Sequence, residues 1–194
     1  AMKLLNQSLE ISESLGNLAN KAAVLGNMAN IYSGKGDLAG ALDLYEKSLN
    51  IFEHLGNLKD KAEMLYEIAN IYYQQGNLEL ALKLLTQSHE IAGRLGDPKV
   101  KAVTLRHMAN IYSAQGELDK AIKLYDQSLE IIEHLGDLSG KATILHQLAK
   151  INSMRGQWDD AVKLFNQSLE IKQELGALRE MSITISEIAA IELI

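Results

Sequence analysis

The stretch LYEIANIYYQQGNLELALKLLTQS, residues 65–88, decides the fold. Before Gly76, the residues Leu65, Ile68, Ala69, Ile71 and Tyr72 recur with the spacing of one helical face; after it, Leu78, Ala81, Leu82 and Leu85 do the same, and Ile91 and Leu95 extend that second stripe. Glycine reaches the left-handed conformation that ends a helix at little cost, and the Asn77 that follows is a good N-cap for the next helix. The stretch therefore reads as two amphipathic helices joined by a tight turn. No segment of the chain alternates apolar and polar residues for long, and its single proline is Pro98, so strands are not expected.

The same pattern recurs outward in both directions. NQSLEI at 6–11 returns unchanged at 166–171, with EKSLNI at 46–51, TQSHEI at 86–91 and DQSLEI at 126–131 between them, a period of 40 residues. Nine glycines keep that period in two series, Gly16, Gly56, Gly96, Gly136, Gly176 and Gly36, Gly76, Gly116, Gly156, each marking one kind of helix end. Caps follow them. Asn17, Asn57, Asp97 and Asp137 stand after the first series, with Pro98 in a first-turn position that suits it; Asp37 and Asn77 follow the second, where Glu117 and Gln157 are weaker caps, and Ala177 breaks the first series. One helix pair cannot bury both of its stripes, so each must pack on the next, and the expected architecture is all-α, an array of about ten helices.

Bulk composition narrows the class. The chain has 194 residues, 47% hydrophobic and 23% charged, enough apolar material for a substantial interior. A net charge of −6 without a basic run argues against nucleic acid or an anionic membrane as the main partner. No cysteine is present, so a disulfide framework and a thiolate metal site are excluded, and the cytoplasm is the expected location. No stretch nears the ~20 apolar residues a membrane span requires.

The residues of 65–88 resemble the tetratricopeptide repeat, through Leu65, Ile68, Ala69 and Tyr72 on the first helix, Gly76 in the turn, and Ala81, Leu85 and Ser88 on the second. The counterparts are Leu25, Met28, Ala29, Tyr32, Gly36, Ala41, Tyr45 and Ser48; Leu105, Met108, Ala109, Tyr112, Gly116, Ala121, Tyr125 and Ser128; and Leu145, Leu148, Ala149, Gly156, Ala161, Phe165 and Ser168, with Asn152 in place of the aromatic. The usual unit has about 34 residues; the longer unit here is similar to that of kinesin light chains and spindle-orientation adaptors. The resemblance implies a right-handed superhelical solenoid whose first helices line a concave groove. The phase divides 1–194 into a half repeat at 1–16, full repeats at 17–56, 57–96, 97–136 and 137–176, and a half repeat at 177–194. Neither end carries a polar capping helix, and Ile183, Ile185, Ile188, Ile191, Leu193 and Ile194 make the last helix apolar, so a piece of a longer array is expected.

For catalysis the sequence offers no paired acids, nucleophile–base set or phosphate loop, and His54, His89, His107, His134 and His146 fall at no metal-binding spacing. A non-enzymatic scaffold without cofactor or metal is the expectation. If first helices line a groove, the residue after the small alanine faces into it: Asn30, Asn70, Asn110, Lys150 and Ala190. A carboxamide both donates and accepts, so such a row pairs with the backbone of an extended peptide without reading its side chains; in the resembled proteins, asparagines at this place hold peptides. First helices ~8–10 Å apart and an extended chain rising ~3.3 Å per residue give about three peptide residues per repeat. One turn earlier on the same face lie Gly26, Tyr66, Arg106, His146 and Ser186. Arg106, His107, His146 and Lys150 are expected to make a basic stretch that suits an acidic side chain or carboxylate, while Glu63 and Glu67 make an earlier stretch acidic. The carboxylate clamp of chaperone-tail adaptors does not carry over, because the places that would complete it from Arg106 and Asn110 hold Gln147, Ile183 and Glu187. The expected partner is a protein or extended peptide, with self-association through the terminal helices and service as the regulatory arm of a larger signalling protein as alternatives.

Overall fold

The computed structural model describes residues 1–193. It contains α1 (Met2–Ser14), α2 (Leu18–Gly34), α3 (Leu38–His54), α4 (Leu58–Gln74), α5 (Leu78–Leu95), α6 (Pro98–Ala114), α7 (Leu118–Leu135), α8 (Leu138–Met154), α9 (Trp158–Glu174) and α10 (Leu178–Glu192), and no strand among the described residues. The even-numbered helices are the first helices of the repeat and the odd-numbered ones the second. The chain divides into two compact units, residues 1–100 and the residues from 101 onward, with the division in the first turn of α6.

Every junction is built from the same few residues. All nine glycines of the two series have positive φ, from 64° to 82°. At Gly136 (φ 67°) the chain reverses: Gly136 N–H donates to Glu133 C=O and Asp137 N–H to Ile132 C=O, each at 3.1 Å, which satisfies carbonyls left over at the end of α7. The Asp137 carboxylate then accepts from Gly140 N–H at 2.9 Å and caps α8. Two adjacent residues thus end one helix and begin the next. Asn17, Asp37, Asn57, Asn77 and Asp97 cap in the same manner, whereas Glu117, Gln157 and Ala177 make no side-chain cap bond. That division follows side-chain chemistry, because only the short oxygen-bearing residues reach the third amide.

In the unit of residues 1–100, the core is Ala22, Ala29, Ala41, Tyr45, Phe52, Met64, Ile68 and Ile71. In the other it is Ala102, Ala109, Ala121, Tyr125, Ile132, Ile144 and Ile151, with Phe165 between Ala149 and Ala161. The alanines let helix backbones approach, and the large side chains fill the space that remains. A polar rivet recurs in each pair: the hydroxyls of Ser48, Ser88, Ser128 and Ser168 donate to the carbonyls of Ala22, Ala62, Ala102 and Ala142, at 2.7–2.8 Å. Each of these serines is fully buried and satisfied, which is how a hydroxyl is tolerated in an apolar seam. Between pairs, Glu13–Lys21, Glu53–Lys61 and Glu133–Lys141 form ion pairs at 2.7–2.9 Å.

Candidate peptide-binding faces

The first helices place the expected residues as follows, one unit at a time. In residues 1–100, Asn30 is exposed on α2 and Asn70 half-buried on α4. A cleft between these helices is lined by Gly26, Asn27, Asn30, Asp60, Glu63 and Met64. Gly26 is buried, and a Cβ there would lie 3.4 Å from Met64 Sδ, so the glycine lets the α4 side chain sit against the α2 backbone. Tyr66 is half-buried on the same helix as Asn70.

The Asn30 carboxamide is not free to choose its role. Tyr45, buried on α3, donates its hydroxyl to Asn30 Oδ1. The bond holds the oxygen toward α3 and leaves the amide hydrogens unused by it. The hydroxyl stays protonated: burial, and then the charges of Glu67 and Glu63, hold the Tyr45 pKa well above that of an ordinary phenol. Asn70 has Leu85 rather than a tyrosine at the matching position, and it hydrogen-bonds Glu67 instead. Burial raises the Glu67 pKa, the Asn70 bond opposes that, and the neighbouring Glu63 adds to it; the net shift is upward.

In the unit from residue 101 onward, Asn110 on α6 repeats the arrangement, its Oδ1 accepting from the hydroxyl of the buried Tyr125. Arg106 is half-buried one turn before it, and Lys150 is exposed on α8. The histidines correct the expected basic stretch. Burial, reinforced by Arg106, pushes His107 down to about 4, and burial, reinforced by Lys172 and Lys150, pushes His146 down to about 4. Both imidazoles are neutral near pH 7. His146 is moreover buried, packed edge-on against Phe165 with ring centroids 5.1 Å apart, and it is not part of an exposed lining. The cations that remain are Arg106 and Lys150.

Sequence reading missed Tyr45 and Tyr125 as partners of the asparagines. The signal is present at positions 45, 85, 125 and 165, which read Tyr, Leu, Tyr and Phe. A hydroxyl occurs at every second place and meets an asparagine 15 residues upstream. Among the described residues no group of three or more His, Cys, Asp or Glu could hold a metal ion, and no helix is long and apolar enough to cross a membrane.

The tetratricopeptide repeat model matches residues 1–54, 60–112 and 100–174. The chain belongs to the tetratricopeptide repeat family. No curated protein matches it by sequence. Among solved structures, this tetratricopeptide chain is similar to BtubC (BKLC) from P. vanneervenii, at a TM-score of 0.84 and 18% identity over 97% of this chain and 80% of that one. It is similar to aspartyl phosphate phosphatase F from Bacillus subtilis, at 0.85 and 15% over 98% of this chain, but spans 49% of that protein. A kinesin light chain-like repeat protein of Podosopora anserina matches at 0.68 and 22%, over 89% of this chain and 86% of that one. At these identities the likeness is one of fold.

Proposed function

We propose that this tetratricopeptide chain is a non-catalytic scaffold that binds an extended peptide or protein segment on the faces of its first helices. One observation carries the reading: in Asn30 and Asn110 a buried tyrosine hydroxyl occupies the carboxamide oxygen and leaves the NH2 as donor. A donor held at a fixed place suits a backbone carbonyl, which every residue of a partner supplies, and it loses little freedom on binding. Asn70 on α4 has no such tyrosine and gives an amide hydrogen to Glu67, so it offers its oxygen and its second amide hydrogen. Charge adds selectivity to each face. Glu63 and Glu67 beside Asn70 favour a cationic side chain, while Arg106 and Lys150 in the other unit favour a carboxylate.

The test starts from peptides selected on the intact chain. Asn70→Ala or Asn110→Ala, each tested with a peptide selected on the intact chain that contacts its own unit, should weaken that peptide by about two- to twelvefold, since a lost hydrogen bond contributes about 0.5–1.5 kcal/mol. Unchanged affinity by calorimetry would reject the role of the asparagines.

A second reading, self-association, is favoured by exposed apolar residues on α1, Leu4 and Ile11, and on α10, Ile183 and Ile185. Sedimentation of Ile183→Glu with Ile185→Glu separates the two: it should dissolve any oligomer and leave peptide affinity unaltered.

A further inference from the structure

The joint between α9 and α10 holds a buried cation. By the 40-residue period, Lys172 occupies the place of Ser12, Phe52, Ala92 and Ile132, and Thr184 that of Val24, Met64, Thr104 and Ile144. At α3–α4 and α7–α8 the pair is apolar and buried, Phe52 with Met64 in one cluster and Ile132 with Ile144 in another, while Ser12 and Thr104 bring a single neutral hydroxyl to their places. At the last joint the plug is polar. Lys172 is buried, and its ammonium donates to Thr184 Oγ1 at 2.7 Å. Thr184 donates onward to Glu180 C=O at 3.0 Å, and His146 Nδ1 stands 3.2 Å from the same hydroxyl oxygen. With the threonine proton spent on the carbonyl, Nδ1 carries the hydrogen and Nε2 is the atom left to take another.

The other fastenings are missing as well. Glu53–Lys61 and Glu133–Lys141 tie earlier joints, and the matching residues here are Gln173 and Met181. Asn57 and Asp137 cap the helices that follow those joints, and Ala177 does not. Leu178, in the first turn of α10, is 76% exposed, whereas its counterparts Leu58 and Leu138 are 37% and 44%.

We propose that α10 is a releasable helix, held on α8 and α9 by the buried Lys172–Thr184–His146 contact in place of an apolar plug, ion pair and cap, and that a proton taken up by His146 undocks it. The physical reason is that a second cation would be created beside a buried ammonium, both facing one hydroxyl. The charges acting on the imidazole are cationic, Lys172 from α9 and Lys150 from α8; α7, which also packs on α8, contributes none, and Glu180 of α10 acts on Lys172. An imidazole freed by undocking titrates near its ordinary value, whereas in the docked state it is held down to about 4, so protons bind the released state preferentially.

Amide hydrogen exchange on the whole chain, with rates corrected for intrinsic exchange at each pH, tests this. Between about pH 7.5 and about pH 5, protection of residues 178–192 should fall by about tenfold or more, while residues 58–74 change by less than about twofold. H146F should abolish the pH-dependent fall, and H146Q serves as a second non-titrating variant should the first misfold. K172I with T184I, which restores the Ile132–Ile144 pairing, should raise protection of residues 178–192 at neutral pH. The proposal is overturned if residues 178–192 lose no more protection on acidification than residues 58–74, or if both non-titrating variants keep the loss.

Discussion

Tyr125 ties packing to the orientation of the Asn110 carboxamide. Its ring is buried among the alanines, and its hydroxyl holds Asn110. Tyr125→Phe keeps the ring, so urea denaturation should show a loss of only about 0.5–1.5 kcal/mol. The freed carboxamide can then turn, and affinity for a selected peptide should drop by less than in Asn110→Ala. Phe165→Ala is a different kind of change, because it empties a fully buried site; about 3–5 kcal/mol is expected by the same measurement. The histidines give the pH dependence its sign. His107 and His146 are held down to about 4 in the folded chain, against about 6.5 when unfolded. The unfolded state therefore binds more protons between those values, and the contribution of both residues is complete above about 6.5 and declines as the pH falls toward 4. The urea midpoint should be lower at pH 5 than at pH 7.5, and replacing His107 and His146 by residues that do not titrate should shrink that difference.

At the level of the helix, ends matter more than middles. Ala177→Asp supplies the side-chain cap that α10 lacks and should stabilise the chain by about 1 kcal/mol, read as slower exchange in residues 178–192. Gly140→Ala places a Cβ 2.6 Å from Asp137 Oδ2 and 2.8 Å from Ile132 Cδ1, so both side-chain ends must move aside, as they do where Asp97 caps Val100, and urea denaturation should show a change of less than about 1 kcal/mol. Helix identity and length were legible in the chain because apolar spacing, left-handed glycines and capping side chains are local signals, and helices begin and end at the residues those signals mark. What stayed hidden depends on partners distant in sequence. The neutral state of His107 and His146 arises from burial and from cations, and Arg106 is adjacent to one whereas Lys172 is a helix away from the other. The tyrosine–asparagine bond spans 15 residues and two helices, and the buried Lys172 gives no sign in a helix that otherwise reads as charged on its outer face.

Across the whole molecule, stability should be distributed rather than single, since each helix pair leans on its neighbours. The two compact units have separate cores, so Phe165→Ala should accelerate exchange in α8 and α9 well before α2 and α3 respond. The proposed binding role is distributed in the same way, over carboxamides on α2, α4 and α6, with Glu63 and Glu67 in one unit and Arg106 and Lys150 in the other. The most direct measurement is the NMR spectrum of the side-chain amides during titration with a selected peptide. The Nδ2 resonances of Asn30 and Asn70 should shift together in the unit of residues 1–100, and that of Asn110 should shift in the other unit. Shifts confined to α3, α5, α7 and α9, with those three amides unmoved, would contradict binding on the first-helix faces.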